Sequence, residues 1–101
     1  LEYSTDNTFA TGVTTLNPAG SATSQAITGL SANTTYHFRL KAVNAGGESP
    51  YATLAPPVTT LPGPPTLLPA TAIAQTTLTL NWTAPGGTLT GYQLRYSTNP
   101  D

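Results

Sequence analysis

The pentapeptide Leu1-Glu2-Tyr3-Ser4-Thr5 returns near the other end of the chain as Leu94-Arg95-Tyr96-Ser97-Thr98, 93 positions on (1 to 94). A period that long is a whole small domain. Because the motif stands at both ends, the sequence predicts a chain out of phase with its own repeat, running from the middle of one domain into the middle of the next.

Composition narrows what such a domain does. At 101 residues the length suits one domain, which would bury roughly two thirds of the surface it exposes when unfolded. Charged residues make up 7 % and the net charge is −1, so no basic face is available to neutralise phosphates, and nucleic acid is excluded as a partner. Cys is absent, which rules out a disulfide framework and a thiolate metal site. No apolar run approaches the ~20 residues of a bilayer span, so membrane insertion is not expected. The Thr-rich, Lys-poor surface suggests secretion, and β-branched residues in short alternating runs favour strands over helices.

Leu1 and Tyr3 alternate with Glu2 and Ser4, the period-two pattern of a half-buried strand, and Asp6-Asn7 supply a turn. Asn17-Pro18-Ala19-Gly20 is a second turn, and Ser21 to Leu30 reads as a short polar strand. Thr34 to Asn44 is the strongest segment: Tyr36, Phe38, Leu40 and Ala42 share one face, with His37, Arg39, Lys41 and Val43 on the other. Asn44 to Pro50 is a loop. Thr53 to Thr60 is a strand that Pro56 and Pro57 confine to an edge or a bulge. Leu61-Pro62-Gly63-Pro64-Pro65 is a short, stiff linker. Beyond it, Thr66 to Ala70 reads as an edge strand interrupted by Pro69. Thr76 to Thr83 reads as a strand with Leu78, Leu80 and Trp82 inward, and Tyr92, Leu94 and Tyr96 line a final strand.

These residues resemble the fibronectin type III family. Leu30-Ser31-Ala32-Asn33-Thr34-Thr35-Tyr36 looks like the corner before that family's strand F, with Tyr36 as its tyrosine-corner residue and Ala32 where the family commonly has Pro. Pro64-Pro65, the Leu78/Leu80/Trp82 strand and Gly91 to Tyr96 are similar to strands A, B and C. The resemblance implies an all-β, immunoglobulin-like antiparallel sandwich spanning parts of two consecutive modules. Residues 1–60 would supply strands C to G of one, 61–65 the linker, and 66–101 strands A to C of the next.

A five-residue linker spans at most about 18 Å, short of the ~25 Å strand length that separates the start of A from the end of G. The two parts are therefore expected to form an extended array rather than close on each other. Charge favours Leu1 to Thr5 over the second copy as neighbour of Tyr36 to Leu40, because Glu2 would oppose Arg39 and Lys41 where Arg95 would add a like charge. Gly91 to Thr98 is then left seeking another partner.

Candidates for chemistry are few. The carboxylates are Glu2, Asp6, Glu48 and Asp101; Asp6 and Glu48 fall at opposite ends of the predicted sandwich, too far apart for an acid/base pair. His37 is the sole histidine, and no Ser/His/Asp grouping is suggested. No catalytic residue, metal or cofactor is expected. Tyr51 is the aromatic least committed to a core and, with Asn44 and Glu48, the candidate binding surface for a carbohydrate or protein. Asn33-Thr34-Thr35 and Asn81-Trp82-Thr83 fit the N-glycosylation pattern. Three functions are consistent with this: an extracellular or cell-surface spacer and interaction module, expected to be bacterial, in a tandem array; a filament subunit completing its neighbour's sandwich; or a loop-mediated binder. The partners expected are neighbouring modules or chains of the same kind.

Overall fold

The computed structural model describes residues 1–100, and Asp101 lies outside them. All regular structure is antiparallel strand: β1 (Glu2–Ser4), β2 (Thr14–Thr15), β3 (Thr35–Leu40), β4 (Val43–Asn44), β5 (Gly47–Glu48), β6 (Ala52–Thr53), β7 (Val58–Thr59), β8 (Thr66–Thr71) and β9 (Thr79–Thr83). The main sheet runs β2-β1-β3-β6, with β7 also paired to β3.

β3 is the centre of this sheet because both of its edges are used. On one side β1 sets Glu2 opposite Arg39, Tyr3 opposite Phe38 and Ser4 opposite His37. The first copy of the repeated motif thus lies beside β3, as its charge requires. On the other side one prospective strand is split in two. β6 pairs Thr53 with Arg39, β7 pairs Thr59 with Thr35, and the Pro56-Pro57 step, which cannot donate to a ladder, falls between them at the sheet edge.

Tyr3 packs on Tyr36 (ring centroids 6.1 Å, edge to face) and on Phe38 (5.6 Å), forming the apolar side of the sheet. Tyr36 also closes the corner ahead of β3: its hydroxyl accepts the Ser31 N–H at 2.9 Å. Ser4 is the fully buried residue, 1 % exposed; its hydroxyl donates to the Thr11 carbonyl and accepts the Asp6 N–H.

Three strand assignments made from the sequence are corrected. Residues 21–30 form no strand, since these small polar residues have no strand alongside and their backbone groups are satisfied more cheaply by water. The long strand predicted to Asn44 ends at Leu40. Beyond it Ala42 and Ser49 exchange bonds, the Ala42 N–H to Ser49 Oγ and the Ser49 N–H to the Ala42 carbonyl, and β4 and β5 form a separate hairpin. Residues 91–98, the second copy, are also not a strand, for want of a neighbour.

After the linker, β8 and β9 form an independent two-stranded sheet with a bulge between Leu68 and Thr71, where Pro69 interrupts the ladder. Leu78, Leu80 and Trp82 do alternate, but with no second sheet to cover them they are 56 %, 37 % and 40 % exposed, which corrects their predicted inward placement.

Neither β8 nor β9 touches a strand of the main sheet. The molecule is 76 Å long with a radius of gyration of 21.5 Å, whereas a compact domain of this length has about 13 Å. Its accessible surface is 8185 Å², against roughly 5400 Å² for a closed monomer of this mass. Among the described residues no hydrophobic side chain is fully buried.

Candidate functional site

The densest grouping of charged and aromatic side chains lies on the face of β1 and β3 opposite Tyr3 and Phe38. The Glu2/Arg39 register puts both side chains on that face, and Arg39 Nε donates to Glu2 Oε2 at 2.7 Å. Two residues on, just past the end of β3, Lys41 Nζ meets Glu48 Oε2 at 2.6 Å across the foot of the β4–β5 hairpin. Rings complete the row. The Arg39 guanidinium lies 4.2 Å from the Phe9 ring centre and 4.0 Å from that of Tyr51, and Lys41 Nζ lies 4.9 Å from Tyr51.

The turn that supplies Phe9 is organised by Asp6. Its carboxylate accepts five hydrogen bonds, from the N–H and hydroxyl of Thr8, the N–H of Ala10, and the N–H and hydroxyl of Thr11. Phe9 adopts a left-handed conformation, φ 56°, that a bulky residue rarely takes. The Asp6 bonds hold the turn in which it does so.

Electrostatics follow from these contacts. The Asp6 carboxyl is held far below the usual carboxylate range, first by the Thr8 hydroxyl and then by backbone N–H groups. Glu2 is lowered by hydrogen bonds from Tyr51 and then Arg39. Lys41 is raised by its bond to Glu48 and then by Tyr51. Each charged group in the row is thus satisfied by a neighbour. Chemically this makes a flat ladder of paired charges and stacked rings, suited to stiffening a sheet face.

The predicted surface residues are partly brought together. Tyr51 and Glu48 meet through Lys41, whereas Asn44 is turned into its own loop, where its Oδ1 accepts the Gly46 N–H at 2.8 Å. Tyr51, read from sequence as the uncommitted aromatic, is engaged by two cations and remains 38 % exposed. His37 is half-buried opposite Ser4, and no group of three or more His, Asp or Glu gathers among the described residues. Asp6 and Glu48 do lie toward opposite ends of β3, as the β1–β3 register and the β4–β5 hairpin require.

Sequence reasoning found Glu2 and Arg39 by alternation but missed Phe9. A residue placed by a left-handed turn obeys no period; the available signal was the Asp6-x-Thr8 spacing, which marks an Asx turn. Trp82, expected in a core, meets Tyr92 edge to face at 5.3 Å on the open β8–β9 side.

The Fibronectin type III domain profile matches residues 1–57 and 63–101. Chitinase A1 of Niallia circulans is 39 % identical over 95 residues, covering 80 % of this chain and 14 % of that protein. Contactin-6 of Mus musculus is 36 % identical over 83 residues, covering 79 % of this chain and 8 % of its own length. The chain therefore spans a small part of either relative. No solved structure matches it.

Proposed function

This chain belongs to the fibronectin type III family, and from that membership we propose that it is a non-catalytic spacer and interaction segment of a tandem array. Residues 1–60 supply the later strands of one module, 61–65 the linker and 66–101 the opening strands of the next. The observation that carries the reading is the uncovered apolar surface on both sides of the linker. Leu40, Leu54 and Val58 are exposed before it, and Leu67, Leu68, Leu78, Leu80 and Trp82 after it. A soluble fold leaves that many large apolar side chains exposed only where another element covers them. An extracellular or cell-surface setting belongs to the same proposal, supported by the Thr-rich, Lys-poor composition.

The same surfaces favour a second reading, in which separate chains complete one another's sandwiches head to tail and grow a filament. Light scattering during size exclusion, with small-angle scattering for shape, separates the two. A monomer with a radius of gyration near the observed 21.5 Å supports the covalent spacer. Oligomers that grow with concentration support assembly, and a compact monomer near about 13 Å overturns both.

A further inference from the structure

One residue ties the two parts of the chain together. Asn33, in a left-handed conformation at φ 46°, donates its backbone N–H to the carbonyl of Leu61, the first linker residue, at 2.9 Å. Its side-chain Nδ2 donates to the carbonyl of Thr88, in the loop after β9, at 2.7 Å.

The base of this contact is rigid. The Thr34 N–H donates to Thr60 Oγ1, the Thr60 N–H returns to the Thr34 carbonyl, and Thr60 Oγ1 donates to the Ser31 carbonyl at 2.6 Å. The other half fits only as glycine. Gly87 has φ 91°, and a Cβ built there would lie 2.5 Å from Asn33 Nδ2 and 2.9 Å from its Cγ. Backbone approach this close is what Gly permits.

We propose that Asn33 is the latch of an intermodule joint, with the Gly87-Thr88 loop as its partner, so that the unit after the linker keeps a fixed angle to the unit before it. A five-residue Pro/Gly linker limits separation but not rotation. A side-chain bond at a second point, away from the linker, restrains that rotation. The nitrogen that a glycan on the Asn33-Thr34-Thr35 tripeptide would occupy is the one pressed against Gly87, so the closed latch shields it.

The inference rests on the two-unit reading for its use, but the latch itself is a contact within this chain, and the test is built accordingly. The absence of Cys allows spin labels at Thr15→Cys in β2 and Thr66→Cys in β8 of the full chain. Diluting labelled with unlabelled chains means that only intrachain distances are read, whatever assembly forms. The parent chain should give one narrow distance distribution. Asn33→Gly keeps the positive φ and removes the donor; Gly87→Ala adds the clashing Cβ from the other side of the contact, in the loop after β9. Both should broaden the distribution, with the docked-to-undocked ratio falling about fivefold for the loss of one hydrogen bond. An unchanged width in either variant overturns the latch. Concentration-dependent oligomers with responsive widths would sink the spacer reading and leave the latch standing.

Discussion

Leu1-Glu2-Tyr3-Ser4-Thr5 and Leu94-Arg95-Tyr96-Ser97-Thr98 share most of a sequence and little of a structure. In the first copy Glu2–Ser4 is a strand between two neighbours, Tyr3 stacks on Phe38 and Ser4 is 1 % exposed. In the second, no strand forms and Tyr96 is 93 % exposed. One feature survives in both: the Asp6 N–H donates to Ser4 Oγ at 3.0 Å, and the Asn99 N–H donates to Ser97 Oγ at 3.0 Å. A hydrogen bond between residues two apart needs only those residues. A strand needs a ladder, and the ladder belongs to whoever lies alongside.

Paired substitutions in the two copies test this contrast most directly. Tyr3→Ala removes the ring from the Tyr36/Phe38 cluster and should cost about 2–3 kcal/mol in urea unfolding. Tyr96→Ala should stay within about 0.5 kcal/mol. Equal losses would mean that the second copy is packed as well as the first. One step smaller, Ser4→Ala leaves the Thr11 carbonyl and Asp6 N–H without their shared partner and should cost ~1–2 kcal/mol; Ser97→Ala should be silent on the same curve. Tyr36→Phe, which deletes the corner bond to the Ser31 N–H, should cost ~1 kcal/mol, and faster hydrogen exchange of the Ser31 amide would locate the loss.

Charge separates the copies by a smaller margin. Glu2→Arg gives the first copy the second copy's residue and sets like charges opposite in the ladder. Stability should drop at low salt and recover as salt is added; indifference to salt would show that the Glu2/Arg39 pair does not select the neighbour.

The pH profile carries the same contrast. Asp6 and Glu2 have folded pKa values below their unfolded ones, so their contribution is present above the ordinary carboxylate range and is lost as pH falls through the folded values. Lys41 is raised, so its contribution is complete below the ordinary Lys value and is lost as pH rises through the folded one. The urea midpoint should therefore be flat across neutrality and fall at both extremes. Asp6→Asn should shallow the acid limb, and an acid limb unchanged by that substitution would refute the role given to the 6–11 turn.

Alternation made much of the main sheet legible. Tyr36, Phe38, Glu2 and Arg39 sit where period two puts them, Pro56-Pro57 split an edge strand as proline must, and Tyr36 makes its corner bond. Alternation failed where a pattern exists but a partner does not: residues 21–30, the extension past Leu40, and the second copy. It was also blind to Phe9 and to the Asn33 contact with Thr88, since left-handed turns and contacts across 55 positions leave no periodic trace.

By itself the sequence determined the all-β class, the tyrosine corner, the proline break and the Ser-centred turns, because each follows from bonds a few residues long or from the two faces of a strand. Only the tertiary structure decided which copy of the repeated motif became a strand. Both copies carry the same alternation; one has β3 beside it, and the other faces water with its ladder unpaired.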